Sequence, residues 1–520
     1  MVKLYKDDCN KINTSDVIID ESIFGGEVYL ATLVTWVIVY FCMWKGVNSS
    51  SYVVWVTVPL PVLFIFFMVV NNLTLPGASD GVRMYIKGYD SEGNPPNVAE
   101  KLSNGNMWGE ACGQIFFSLG ICMGSMTSYS SFNPIDKPII GDAFQIAFTN
   151  SGISFFAGFA VFSVVGYLMH IGSPVADKTA SIGLAFIAYP AAIETLPGSN
   201  IWAFILAVTL FTLGIDSAFS ILEAASTVMQ DSPMFKEMPR KLIALCLVVL
   251  GAIGSIFFSF NWGFTYFDVV DHYLNVYLML LLGILETFGA GWIYEMKEVM
   301  DKGRNHKLAV MILICVYWIP LLIIGPVSIW GLGDMALLGI VIFWAIQLCG
   351  FIAAWLASGM KMGEFYFSIY LYGVRKLSRA MTKLSKEKGS NRREFWEPIF
   401  EVWWGFSIKY FVPFALYFLI MFSLKGDLDN PYGGYHPFWQ LMGWLYPIVG
   451  FVAFLIPVFR PPSREDFPPE VDQAFQEDDF SGVGAGSSAN AMVKGADAQT
   501  NGKVQEAELG IVAEGGKGDI

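Results

Sequence analysis

The chain has 520 residues, of which 54% are hydrophobic, 16% aromatic and only 15% charged, and its mean hydropathy is +0.51. Soluble domains carry roughly a quarter charged residues, so this composition excludes a soluble globular protein, gives no ground for a nucleic-acid partner and indicates an integral membrane chain. The formal net charge of -13 comes mostly from positions 461–520, whose twelve acids and four bases contribute -8.

Apolar stretches long enough to cross a bilayer, about 17 to 25 residues each, lie at 28–44, 53–72, 111–132, 150–169, 201–229, 242–262, 273–295, 308–329, 335–358, 403–424 and 438–459. Eleven spans are expected. The third is unusual. Between Glu110 and Asp136 the chain carries no charge, yet its middle reads Gln114-Ile115-Phe116-Phe117-Ser118-Leu119-Gly120-Ile121-Cys122-Met123-Gly124. A lipid-facing helix gains nothing from Gln, Ser and two glycines at mid-depth, whereas a broken helix lining a solute pathway needs small and polar residues there.

Orientation follows from the short loops, because Lys and Arg stay on the cytoplasmic side. The stretch 361–397 holds nine basic residues against four acidic ones, so it is read as internal. Alternation then places 1–27 outside and the C-terminus inside, with Lys236 to Lys241 and Lys297 to Lys307 also inside. From Ser481 onward Gly, Ala, Ser and Asn dominate without an apolar period, which reads as a disordered tail.

Polar residues at membrane depth are few. Gln114 and Ser118 are four apart, as are Asn150 and Ser154 in the next span, so each pair lies on one helical face and two such faces could surround a small ion. Ser and Asn also serve as interhelical hydrogen-bonding glue. Asp216, in Phe211-Thr212-Leu213-Gly214-Ile215-Asp216-Ser217, costs roughly 2.5 to 3.5 kcal/mol at mid-depth and so requires a cation or an aqueous cavity. Sodium fits: Asp216 and Ser217 offer hard oxygens, and the Leu213 carbonyl can join them if the helix loosens near Gly214. The alternative is a buried Asp paired to an Arg or a backbone amide. Seven scattered cysteines and four separated histidines lack metal-ligand or triad spacing, so an enzyme is not expected. Cys9 is the one cysteine in the outer segment. No phosphate-cradling glycine loop supports an ATP-driven pump.

Several stretches together resemble the sodium- and chloride-dependent neurotransmitter transporter family, the neurotransmitter:sodium symporters. Trp44-Lys45-Gly46-Val47 and Val53-Val54-Trp55-Val56-Thr57 resemble the loop before the fifth helix and its start; Thr74-Leu75-Pro76-Gly77-Ala78 resembles the following outer loop. Gln114 to Gly120 with Tyr129 to Asn133 resembles the broken sixth helix, and Ser154 to Phe159 with Gly166-Tyr167 the seventh. The segment from Ala185 to Pro197 resembles the outer loop that caps the site, and Leu213 to Ser217 with Glu223 and Asp231 the eighth helix.

The resemblance implies an all-α, inverted-repeat integral membrane fold that moves solute by alternating access. It implies one sodium site at Ser118 and Asn150, and another at the Leu213 carbonyl, Asp216 and Ser217. Chloride would be held by Gln114, Ser118, Asn150 and Ser154. Chloride-independent bacterial relatives carry a carboxylate at the position of Ser154, so serine there implies a mobile anion. Phe117, Gly120, Met123, Ser217 and Ile221 would contact the solute. Glu286 and Asp231 match the acidic members of the outer and inner gates. The expected activity is sodium-coupled, chloride-dependent symport of a small amino acid, amine or osmolyte, with Na+ and Cl- co-transported and no organic cofactor. Partners are then the solute and the bilayer, here of the plasma membrane, and an oligomer stays open.

Departures from the family pattern are specific. Counterparts of the first three helices are not found, and with them the other half of both sodium sites, the arginine of each gate and a solute-contacting tyrosine. This reads as a truncated chain, and residues 1–520 alone are then expected to show no saturable sodium-coupled uptake. The competing reading is a non-transporting chain that packs with or regulates full-length transporters. Phe132 replaces a tyrosine near the inner gate, and Cys122 and Met123 replace a glycine and a bulky side chain beside the solute. The expected organisation is an extracellular segment 1–27, a transporter core 28–300, an extra hairpin 301–360 serving as spacer or packing element, a basic cytoplasmic loop 361–401, the last two family helices 402–460 and an acidic cytoplasmic tail 461–520.

Overall fold

The computed structural model describes residues 24–88, 95–98, 104–134, 139–173, 188–232, 234–331, 336–386 and 396–459, with Leu102, Lys137 and Phe186 between them. Cys9 with most of the outer segment, residues 387–395 of the basic loop and the tail from 460 lie outside the described residues. The chain divides after Leu455 into two units; of the second, only the helical turn 456–459 is described. Among the described residues every regular element is helical, and one isolated antiparallel bridge joins Phe24 to Phe260.

Among the described residues ten helices are long and apolar enough to cross a membrane, and the protein is a multi-pass membrane protein. In chain order the first four are α1 (Gly26–Met43), α2 (Val47–Thr57), α3 (Pro59–Asn72) and α4 (Ala78–Lys87). Pro59 opens α3 at a position that needs no N–H, so α2 and α3 continue as a single spanning rod from Ser49 to Asn72.

The third expected span, 111–132, is two short helices, α5 (Gly105–Leu119) and α6 (Ser125–Ser131), neither long enough to cross alone. Gly120, Cys122 and Gly124 between them have φ of 65, 63 and 76°. The left-handed region cannot continue an L-residue helix, so the chain unwinds there.

Next come α7 (Ile139–His170), α8 (Tyr189–Glu194), α9 (Ser199–Asp231) and α10 (Arg240–Gly254). The α4 and α7 backbones nearly touch: a methyl on Gly81 would collide with the Phe162 carbonyl, and one on Gly166 with the Gly77 carbonyl. Met68 and Val69 of α3, Ala160, Val164 and Leu168 of α7, and Tyr189, Ala192 and Ile193 of α8 form one buried cluster. Its polar centre is Asn72, whose Nδ2 donates to the Ala160 carbonyl at 3.0 Å and to the Tyr189 hydroxyl at 2.6 Å.

A long rod from Gly263 to Asp301 contains α11 (Gly263–Tyr273), α12 (Met279–Phe288) and α13 (Met296–Asp301), with π turns at Leu274–Leu278 and Gly289–Ile293. The hairpin that follows is α14 (Arg304–Pro326) and α15 (Ala336–Ser358). After α16 (Met362–Phe365), α17 (Val374–Lys386) and α18 (Trp396–Phe406), the chain closes with α19 (Val412–Asp429) and α20 (Pro437–Phe459).

The hairpin shares a buried core with Trp292, Phe365, Ile369, Tyr372, Tyr410 and Phe414. At its centre Lys409 is fully buried. The Lys409 ammonium donates to the Tyr372 carbonyl at 3.3 Å and sits 3.2 Å from the Tyr372 ring centroid and 5.1 Å from that of Trp292, a cation–π environment. Lys409 and Trp292 both lie in π turns, where the ladder slips and carbonyls seek other donors. Trp292 Nε1 accordingly donates to the Lys409 carbonyl and the Tyr372 hydroxyl to the Trp292 carbonyl, each at 2.9 Å. Elsewhere large apolar side chains such as Leu250, Val341 and Leu356 are exposed, as a lipid-facing surface requires.

Candidate ion and solute site

Leu213, Asp216 and Ser217 stand three and four residues apart on α9 and so share one face. Asp216 is half-buried, while Leu213 and Ser217 are exposed. α9 is a regular helix through Gly214, so the loosening considered from the sequence is not found. The Leu213 carbonyl instead accepts from the Ser217 hydroxyl at 3.4 Å. The Asp216 carboxylate meets a group the sequence did not single out as functional: Thr57 Oγ1, at the end of α2, donates to Oδ1 at 2.6 Å. One hydroxyl leaves most acceptor sites of a carboxylate open. Among the described residues no Lys or Arg forms an ion pair with Asp216.

One turn along α9, the Ser220 hydroxyl lies 3.0 Å from the Tyr129 hydroxyl, and Ser128 Oγ donates to Thr227 Oγ1 at 2.9 Å. These bonds anchor α6, the second half of the broken helix, along α9. The first half, α5, is tied to α7: Asn150 Nδ2 donates to Ser118 Oγ at 2.8 Å. Gln114 and Ser154, one turn away on their own helices, are exposed and make no hydrogen bond with that pair. The structure therefore joins two of the four residues of the expected chloride set.

Of the expected solute contacts, Phe117 and Ile221 are exposed, and Gly120 and Met123 sit in the unwound turn, where Met123 N–H donates to the Gly120 carbonyl at 3.4 Å. A broken helix turns the carbonyl end of one half and the amide end of the other toward the same space. That space can thus meet both a cation and an anionic or polar group.

The two expected gate acids lie apart. Asp231 is the last residue of α9, about 22 Å along the axis from Asp216 at 1.5 Å per residue. Glu286, exposed on α12, accepts from the Cys122 thiol at 3.6 Å. Between Asp216 and Asp231, Glu223 is fully buried and ion-paired with Arg240 at the start of α10. The Arg240 guanidinium also covers the Phe132 ring at 5.5 Å and leaves no room for a side chain at Gly46. Sequence reasoning missed Thr57, Cys122 and Arg240 as partners. The available signal for Arg240, a basic residue opening a span, is the same one that any cytoplasmic loop gives.

The family model described as the sodium:neurotransmitter symporter family matches residues 4–348. Among curated relatives, the sodium- and chloride-dependent GABA transporter 2 of Homo sapiens is 34% identical over 281 residues, covering 53% of this chain and 45% of the relative. The same transporter of Rattus norvegicus is 35% identical over 282 residues, with the same coverage. The sodium-dependent dopamine transporter of Bos taurus is 35% identical over 267 residues, covering 51% of this chain and 37% of the relative. The chain thus spans about half the length of the curated relatives it matches, or less. With the family model covering well over half of its residues, the chain belongs to the sodium:neurotransmitter symporter family of membrane transporters.

Proposed function

We propose that this protein couples the movement of a small amino acid, amine or osmolyte across the plasma membrane to the sodium gradient, with chloride as a co-transported ion. The observation that carries the reading is Asp216, a carboxylate mid-way along a spanning helix with a single hydroxyl donor, Thr57, on one oxygen. An anion at that depth is stable only with a cation or water beside it, and carboxylate, hydroxyl and carbonyl oxygens suit a hard cation such as sodium. Asp216, Ser217 and the Leu213 carbonyl form one sodium half-site, and Ser118 with Asn150 the other. Gln114 and Ser154 complete a chloride pocket around that second pair. The solute lies against the unwound turn at Gly120 and Met123, with Phe117, Ser217 and Ile221 around it. Glu286 serves the outer gate and Asp231 the inner one, and the C-terminus is cytoplasmic.

The test is uptake of a panel of labelled amino acids and amines, GABA and dopamine included, by cells expressing residues 1–520 with and without a co-expressed segment of three further family helices, in sodium chloride against choline chloride. Sodium-dependent uptake that Asp216→Ala abolishes at unchanged surface level supports the reading. Uptake indifferent to external sodium would sink it.

A further inference from the structure

Cys122 and Glu295 are the two non-glycine residues with left-handed backbone among the described residues, Cys122 at φ 63° within the unwound turn. Glycine is the residue that such an angle favours, so a side chain here needs a compensating contact. The Cys122 sulfur has one. Sγ lies over Gly283 of α12, 3.6 Å from where a Cβ on that glycine would stand. It donates to Glu286 Oε2, also at 3.6 Å, across 164 residues of sequence. Gly283 and Glu286 are three residues apart and share a face of α12. Gly283 is buried, with Phe116 and Leu416 closing around it. A close-packed glycine and an acceptor therefore share one helix face opposite the Cys122 thiol, whose backbone is left-handed. A carboxylate is a strong acceptor for the single S–H proton.

We infer that Cys122 is a positioning residue: its thiol holds the Glu286 carboxylate against the unwound turn, so that movement of this turn on solute binding changes where the carboxylate points. One carboxylate oxygen is engaged by the thiol, and the other stays available to a cationic partner. The gating consequence rests on the symport reading above; the tether itself is a contact between two side chains.

The test uses the full chain with Cys9, Cys42, Cys112, Cys246, Cys315 and Cys349 replaced by serine or alanine. The rate at which a membrane-impermeant methanethiosulfonate labels Cys122 is compared with Glu286 present and in Glu286→Ala. Loss of the acceptor should raise the rate about five-fold, the worth of a typical net hydrogen bond. Equal rates, including no labelling in either background, overturn the tether whether or not the protein transports. A second arm in the otherwise native chain reads the solute KM. Cys122→Ser, which keeps a donor, should stay within about two-fold of the native value, while Cys122→Ala and Cys122→Gly should both raise KM about five-fold. If glycine performs best and serine no better than alanine, backbone strain alone explains the position and the tether is wrong. Absence of sodium-dependent uptake even with the three further helices co-expressed fails the symport reading and leaves the labelling comparison to decide the tether.

Discussion

Thr57 and Asp216 are 159 residues apart in sequence and 2.6 Å apart in space, the hydroxyl donating to Oδ1. The bond orients the carboxylate without neutralising it, because a neutral donor leaves the full negative charge for a cation. Removing the donor should therefore weaken sodium binding without removing it. Thr57→Val is expected to raise the sodium concentration for half-maximal uptake about three- to ten-fold, the range for a hydrogen bond to a partly exposed charged group. Thr57→Ser should restore it. A valine variant with native sodium dependence would separate Thr57 from the ion site.

Ser154 is exposed one turn beyond Asn150, which donates to Ser118. If chloride supplies a negative charge in this pocket, a fixed carboxylate can replace it. Ser154→Glu should make uptake largely independent of external chloride, measured by gluconate substitution. A variant that still needs chloride as the native protein does places the anion elsewhere.

Glu223 is fully buried and its ion partner Arg240 is mostly so. Truncating one member of such a pair leaves an uncompensated buried charge, a loss of about 3 to 5 kcal/mol. Arg240→Ala should lower the apparent melting temperature of the detergent-solubilised protein by several degrees. The double variant Glu223→Leu with Arg240→Met should recover most of that loss, since well-packed apolar replacements of buried pairs are often neutral. Equal melting temperatures for native protein and Arg240→Ala would show that the pair carries no stability.

Asn72 and Tyr189 are both buried, and the Asn72 amide donates to the phenol and to the Ala160 carbonyl. Asn72→Leu leaves the buried Tyr189 hydroxyl without this donor, while the Ala160 carbonyl keeps its helical partner within α7, and should cost about 1 to 3 kcal/mol. Tyr189→Phe removes one partner and should cost less. The order of the two melting temperatures checks this, and a more severe effect of Tyr189→Phe would reverse the assigned roles.

The sequence alone determined the class, the spans and the site of the break. Long charge-free runs can only be membrane helices, because backbone groups must be satisfied internally in lipid. Gly120 and Gly124 announced the unwinding between Leu119 and Ser125 that the structure displays. Asp216 was legible for the same reason: a mid-depth carboxylate has few explanations. The partners of these residues were decided by tertiary structure. Thr57 on Asp216, Arg240 on Glu223 and Cys122 on Glu286 each depend on how one helix is rotated and tilted against another. In a soluble protein an apolar stripe reveals that rotation. In α9 and its neighbours the faces toward lipid and toward protein are both apolar, so the pattern along the chain carries no rotation, and only close packing of small residues and matched hydrogen bonds sets it.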